Sequence, residues 1–324
     1  MENSSRLDDH KKNPALEDIL REMESILSEP ESRLLNDFHS PSRPIVLIVG
    51  CARSGTTLLF QYLAASGMFS YPTNLISRFY YAPYIGARIQ QLLIDHDLKG
   101  EIFGKNAPNS FRSELGKTFG PLQPHEFWYF WDRFFQFGEI QTLSDEQLTG
   151  VNASLFLKEL AALQEALQKP LVMKAMKLNW HLPYLAGLSE QVYFVYIKRD
   201  VLFNAQSLLE ARMKFFGTYE KWYSFKPPQY ASMAKKPYYE QVIDQVIETN
   251  AAIEEGLKTL PKERFIKIHY TDFCNNPLRV LQQVQLMIGE NNEHTELPPS
   301  FTLQEKARIS DLIWTKMQTY HTSL

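Results

Sequence analysis

The run Ile45-Val46-Leu47-Ile48-Val49, then Gly50-Cys51-Ala52-Arg53-Ser54-Gly55-Thr56-Thr57, then Leu58-Leu59-Phe60-Gln61-Tyr62-Leu63 limits this chain's fold more than any other stretch. Consecutive apolar, mostly β-branched residues read as a strand buried on both faces of a parallel sheet. The polar segment reads as a glycine-bearing loop, and Leu58–Leu63 as a helix. Strand, loop and helix in that order make an anion cradle, because backbone N–H groups and the positive end of the helix dipole converge on a phosphate. Gly50, Gly55 and Thr57 match the pattern G-x-x-x-x-G-K-[ST], but Thr56 stands where the lysine belongs. That lysine reaches the β- and γ-phosphates of a nucleoside triphosphate, so its absence argues against ATP or GTP hydrolysis. Arg53 instead puts a cation inside the loop, near a single 5′-phosphate group and whatever is joined to it. A turn that binds nothing is the plainer alternative, and the density of Arg, Ser and Thr between Arg53 and Thr57 argues against it.

A chain of 324 residues is long enough for a sizeable core. Its net charge of −3 gives no global attraction to nucleic acid or an anionic membrane, so an anionic cofactor must be held by local positive charge. The two cysteines, Cys51 and Cys274, make neither a disulfide framework nor a metal site, and Cys51 reads as a small buried residue. The N-terminus carries no apolar leader and no long apolar run occurs, so a soluble, cytoplasmic protein is predicted.

Residues 1–42 are expected to form an N-terminal helical extension. Apolar residues at 16, 19, 20, 23, 26 and 27 recur at helical spacing, with Pro14 as a start signal and Pro30 as the end. Residues 43–324 are expected to form one α/β domain. Further strands are predicted at Leu171–Lys174, 191–197 and Arg264–His269, and helices at 155–168, 238–260, Pro277–Ile288 and Leu303–Tyr320. Alternating strands and helices point to a parallel sheet flanked by helices. Residues 68–140 are long, irregular and rich in aromatics, including Phe127-Trp128-Tyr129-Phe130-Trp131, and read as pocket walls or as a satellite core under a loop.

The loop RSGTTL resembles the 5′-phosphosulfate loop of sulfotransferases that use 3′-phosphoadenosine 5′-phosphosulfate (PAPS), with Arg53, Ser54, Gly55, Thr56 and Thr57 as the matching residues. A second match is Tyr193-Phe194-Val195-Tyr196-Ile197-Lys198-Arg199-Asp200, with Ser207 eight residues beyond Arg199. Arginine and a hydroxyl suit a 3′-phosphate through charge-assisted bonds, and the same spacing occurs in the 3′-phosphate element of that family. Asp200 could be mistaken for a metal-binding carboxylate, but the adjacent arginine argues against it. Tyr270, in His269-Tyr270-Thr271-Asp272, resembles the tyrosine that lies against the adenine, and a buried aromatic at a strand end is the competing reading. Leu58 replaces the adenine-stacking tryptophan of cytosolic members, and no glycine-rich Arg-Lys-Gly segment occurs near the C-terminus. Both departures point to a bacterial-type branch. The resemblance implies a P-loop-like three-layer α/β fold with a central parallel sheet.

Sulfuryl transfer is an in-line displacement that needs positive charge on the sulfonate and leaving phosphate, and a base for the acceptor. Arg53 is the cation on the leaving side. Lys174 resembles the lysine of the family's Lys-Thr-His element, while Met176 stands where that histidine is expected. The base candidates are therefore Glu126 and His125, in a Pro-His-Glu-Phe block resembling bacterial members, and His181. Each also has a structural hydrogen-bonding reading. The resemblance implies a PAPS-dependent enzyme sulfating a hydroxyl or amine of a small molecule, a specialised metabolite in this reading, with residues 68–140 and 208–235 shaping the pocket. A P-loop kinase or NTPase and a catalytically silent nucleotide-binding scaffold are the alternatives. No metal is implied, and a homodimer is left open.

Overall fold

The computed structural model describes residues 6–102, 111–290, 293 and 295–324. Residues 1–5 of the expected extension and 103–110 of the aromatic-rich stretch lie outside these. In chain order the elements are α1 (Pro14–Leu34), β1 (Ile45–Val49), α2 (Thr56–Ala65), α3 (Pro83–Gln90), β2 (Ser113–Glu114), β3 (Lys117–Thr118), α4 (Trp128–Phe134), α5 (Asp145–Thr149), α6 (Ala153–Leu167) and β4 (Leu171–Lys174). There follow α7 (Leu182–Leu188), β5 (Val192–Lys198), α8 (Val201–Phe216), α9 (Tyr230–Met233), α10 (Tyr238–Lys258), β6 (Phe265–His269), α11 (Tyr270–Asn275), α12 (Pro277–Ile288) and α13 (Asp311–Thr322). Among the described residues no helix is long and apolar enough to cross a membrane.

The main sheet has the order β4-β1-β5-β6, and every pairing is parallel. All five residues of β1 are buried, as a strand with neighbours on both edges and helices on both faces requires. Alternation along the strands sorts them between two cores. Ile45, Leu47, Val49, Met173 and Phe194 face α6, α7 and the aromatics of α4. Val46, Ile48, Val172 and Val195 face α2, α11 and α12. A third cluster joins Cys51, Ala52 and Met176 to α8, α10 and Met317 of α13, and seats the loop from beneath. Strand order reverses at β1, since the chain places β4 on one side of it and β5 on the other, and ligands of open α/β sheets bind at such a switch point.

Two sequence expectations are corrected, and a reading left open is resolved. The first helix runs through Pro30 to Leu34 instead of ending there. Proline costs a helical hydrogen bond, but the following turn is anchored by Glu31, whose carboxylate accepts from the N–H groups of Tyr84 (2.8 Å) and Ile85 (3.0 Å) in the first turn of α3. The last helix begins at Asp311, not Leu303. The carbonyls of Gln304 and Lys306 accept from the side chains of Arg199 and Gln206, so 301–310 is held as an extended strap by tertiary contacts. The aromatic run is mostly core: Phe127 stacks on Phe130 at 4.6 Å, and both are buried with Trp131.

Glu31 is 1% exposed, so its removal leaves two N–H groups without an acceptor. Glu31→Ala is expected to lower the unfolding free energy by about 2 kcal/mol in denaturant titration. An unchanged midpoint would mean that these bonds do not hold the extension.

Candidate active site

The parallel ladders bring the C-terminal ends of β1, β4 and β5 side by side, and each end carries a candidate residue. From β1 the chain turns tightly through Gly50 to Gly55 into α2. Arg53 takes a left-handed conformation (φ 69°), and so does Gly55 (φ 104°), the residue before α2. A side chain at Gly55 would fail twice, because a Cβ there would lie 2.5 Å from Cδ2 of Tyr270. Tyr270 thus packs against the loop itself. The turn is fixed by amides that sequence reading missed: Asn179 donates to the Gly50 carbonyl (2.9 Å) and Asn204 to the Ala52 carbonyl (2.7 Å). Both lie on neighbouring elements, and only a signal of buried amides facing the loop could have shown them.

Arg53 Nε donates to Ser207 Oγ at 3.3 Å, which joins the loop after β1 to the helix after β5. Arg199 follows β5, donates through Nη1 to the Arg53 carbonyl (3.3 Å) and through Nη2 to the Gln304 carbonyl, and lies 4.7 Å from the centre of the Tyr270 ring. Burial pushes its guanidinium below its ordinary value. Ser54 Oγ and Arg199 Nε are both buried without a hydrogen-bond partner. Buried unpaired donors are costly, and these two belong to the loop and to the arginine that bonds it. Thr56 Oγ1 instead contacts Met176 Sδ at 3.2 Å. Asp200 is a helix cap, its Oδ1 accepting from Leu202 and Phe203 N–H at 3.0 and 3.1 Å. The strap from 301 onward also carries Arg308 toward Arg199, although Glu210 holds Arg308 by two bonds of 2.7 and 2.8 Å. Spacing along the sequence gave no sign of this arginine.

Lys174, the last residue of β4, donates to Thr57 Oγ1 at 3.0 Å and to the Glu126 carboxylate. Its side chain is 3% exposed, and burial lowers its pKa against the opposing pull of Glu126. Two base candidates are placed differently. His125 Nδ1 accepts the Phe127 N–H at 2.9 Å, and Phe127 takes a left-handed conformation (φ 56°) as it starts α4. This turn aims Glu126 at Lys174. His181 Nε2 accepts the Leu143 N–H at 2.9 Å. The structure thus brings Arg53, Ser54, Thr57, Lys174, Glu126, Arg199, Ser207 and Tyr270 around one edge, while it engages ring nitrogens of His125 and His181 with backbone.

Beside the Lys174–Glu126 pair lies a narrow crevice, lined by Trp128, Trp131, Met176 and Lys177 as well. Lys177 pairs with Asp132 and lies 5.0 Å from the Trp128 ring. Trp128 stacks on Phe225 at 5.6 Å, so the α8–α10 connection reaches this wall. The pocket residue of the aromatic run is therefore Trp128 with one side of Trp131.

Residues 44–293 match the Sulfotransferase family. A match over that share of the chain defines the class, and the chain belongs to the sulfotransferase family. Its structure is similar to that of sulfotransferase STF9 from Mycobacterium avium (TM-score 0.50, 12% identity, covering 93% of this chain and 72% of that one). Sulfotransferase STF1 from Mycobacterium tuberculosis H37Rv matches with a TM-score of 0.48 and 13% identity, over 91% of this chain and 76% of that one. A sulfotransferase from Alicyclobacillus acidocaldarius matches with a TM-score of 0.42 and 12% identity, over 87% and 92%. At such identities the first of these likenesses shows a shared fold. No curated protein matches the sequence.

Burial pushes the His125 imidazole down to about 4, from 6.5 when free. The unfolded chain therefore takes up this proton first as pH falls. That contribution to stability is complete above pH 6.5 and is lost through pH 4. The stability difference between wild type and His125→Gln should shrink by roughly 3 kcal/mol between about pH 7 and 4. A pH-independent difference in unfolding titrations would contradict this placement.

Proposed function

We propose that this chain is a PAPS-dependent sulfotransferase that sulfates a hydroxyl or amine of a small-molecule acceptor, working as a soluble cytoplasmic enzyme. The observation that carries the reading is the Lys174 ammonium, held between Thr57 Oγ1 and the Glu126 carboxylate at the mouth of the cradle. A cation beside a loop hydroxyl, with a carboxylate on its far side, sets charge stabilisation and proton acceptance next to each other.

The residues present fit the donor. Ser54 Oγ and Arg199 Nε are buried donors awaiting an acceptor, and the loop backbone opens on a helix N-terminus. Arg53, Ser54, Gly55, Thr56 and Thr57 would hold the 5′-phosphate end, Arg199 and Ser207 the 3′-phosphate, and Tyr270 would lie against the adenine. When bound, the donor supplies an activated sulfuryl group joined to its 5′-phosphate. Arg53 would neutralise charge on the leaving side. Lys174 would supply positive charge to the sulfonate. Glu126 takes the proton from the acceptor oxygen or nitrogen, and the walls of Trp128, Trp131 and Met176 keep water from competing. His125 acts by aiming Glu126, and His181 by supporting the 141–143 backbone. Trp128 and its neighbours suit a planar or apolar acceptor such as a specialised metabolite.

A P-loop kinase or NTPase is disfavoured by Thr56 in place of lysine and by Asp200 serving as a cap. Residues 1–42 read as an extension of the 43–324 domain, and a homodimer is compatible with either unit.

Arg199→Ala is expected to weaken PAPS and its desulfated product together, by roughly ten- to a hundredfold in direct binding. Affinities for both ligands unaltered from wild type would remove Arg199 from the 3′-phosphate site. Glu126→Gln is expected to cut turnover by roughly a hundredfold with donor affinity nearly unchanged. Full turnover in that variant would place the base elsewhere, and donor binding without product from any acceptor would favour the silent scaffold.

A further inference from the structure

The short hairpin of β2 and β3 has a two-residue turn, Leu115-Gly116, in which both residues have positive φ (49° and 91°). That is the turn geometry matched to hairpin twist, but leucine is strained in it. The tip is where the site is. A Cβ built at Gly116 would lie 2.9 Å from Glu126 Oε1 and 3.7 Å from Thr57 Oγ1. The glycine backbone therefore rests directly on the carboxylate that pairs with Lys174.

The base of the hairpin is fixed on both sides. Gln61 Nε2 donates to the Arg112 carbonyl at 3.2 Å, and Asn74 Nδ2 donates to Thr118 Oγ1 at 3.0 Å and to the Gly120 carbonyl at 2.8 Å. Thr118 Oγ1 donates in turn to the Pro124 carbonyl at 2.9 Å. Over the distal part, the fastening between side chains is a different kind of contact. Glu114 forms an ion pair of 2.5 Å with Lys214 at the end of α8. The side chains of this pair are 46% and 52% exposed, so its strength is that of a surface contact. The post to which the hairpin is tied is itself held. Leu7 N–H donates to the Phe215 carbonyl at 3.0 Å, and the His10 ring stacks on Phe215 at 4.6 Å. A well-anchored base, a glycine tip on the Glu126 carboxylate and a weak exposed fastening describe a tip that can leave that carboxylate.

We propose that hairpin 113–118 is the positioning element of the acceptor side. Gly116 presses the Glu126 carboxylate onto Lys174, and the Glu114–Lys214 pair latches the hairpin, so that the tip leaves the carboxylate when the latch opens. In this account Gly116 is a positioning residue, because it touches Glu126 and not the reacting atoms. The inference rests on Lys174 and Glu126 as the transfer site. Its test needs neither donor nor acceptor, so its failure leaves that reading standing.

The test is acylation of Lys174 in the native full-length protein by N-hydroxysuccinimidyl acetate, followed by peptide mass spectrometry, with exposed Lys258 as the internal reference. Lys174 is buried and paired with Glu126, on which the hairpin tip rests, so its labelling reports how often the tip leaves that carboxylate. Glu114→Lys turns the latch into a repulsion and should speed Lys174 labelling several-fold, leaving Lys258 unchanged. The exchange of charges in Glu114→Lys with Lys214→Glu should restore the wild-type rate. Unchanged Lys174 labelling in Glu114→Lys, or no restoration in the exchanged pair, overturns the latch. Should Glu114→Lys fail to fold, Lys214→Gln carries the same expectation and the same refutation. For the tip, Gly116→Ala should push Glu126 away from Lys174. Because Glu126 holds the Lys174 pKa up against burial, the pH midpoint of Lys174 labelling should move down. A midpoint equal to that of wild type overturns the positioning role.

Discussion

The site depends first on the pairing of β1 with strands on both sides. Ile45 to Ile48 lie in register with Leu171 to Lys174, and Ile45 to Val49 with Val192 to Tyr196. In a parallel sheet all strands end at the same edge, so this register alone sets Gly50, Lys174 and the residues after β5 within reach of one another. A slip by one residue would reverse the faces of β4 and carry Lys174 out of the site. No such freedom exists here, because each face of the sheet is buried in its own apolar cluster. Precision at the polar edge is thus inherited from apolar packing beneath it.

On that frame the charges are arranged against the overall sign of the molecule. Net charge is −3, yet Arg53, Lys174 and Arg199 converge on one edge, and burial acts against the charged forms of Lys174 and Arg199. Each is compensated locally. Lys174 has Glu126 and Thr57, and Arg199 has two carbonyls and the face of Tyr270. Breaking one partner of such a buried group is costly, because the other is left charged in a poor solvent. The compensation for Arg199 is incomplete at Nε, and that for the loop is incomplete at Ser54 Oγ. These are the two places where an anionic ligand would complete the hydrogen bonding.

Much of this was legible in the sequence, for a physical reason. A buried parallel strand is a local, compositionally extreme object, so β1, β4 and β5 could be read from apolar runs, and the loop from its glycines and hydroxyls. Arg199 and Ser207 were singled out by family resemblance, and the fold sets both beside Arg53. What failed were local rules overruled by distant contacts. Pro30 did not stop α1, since Glu31 grips the start of α3. Residues 303–310 have helical composition, but their carbonyls satisfy Arg199 and Gln206 instead of one another. Asn179, Asn204 and Gly116 were invisible for the same reason, because each matters only through what the fold sets beside it. Glu126 and Lys174, far apart in sequence, were each singled out by family resemblance, and their pairing is visible only in the fold.

The central claim is that one cradle recognises both phosphates of an adenosine 3′,5′-bisphosphate. Titration calorimetry with that nucleotide, with adenosine 5′-monophosphate and with magnesium-ATP tests it most directly. The account predicts binding of the bisphosphate that weakens by roughly two orders of magnitude when the 3′-phosphate is absent. Equal affinity for the monophosphate, or preference for magnesium-ATP, would contradict it and return the loop to an ordinary nucleotide site.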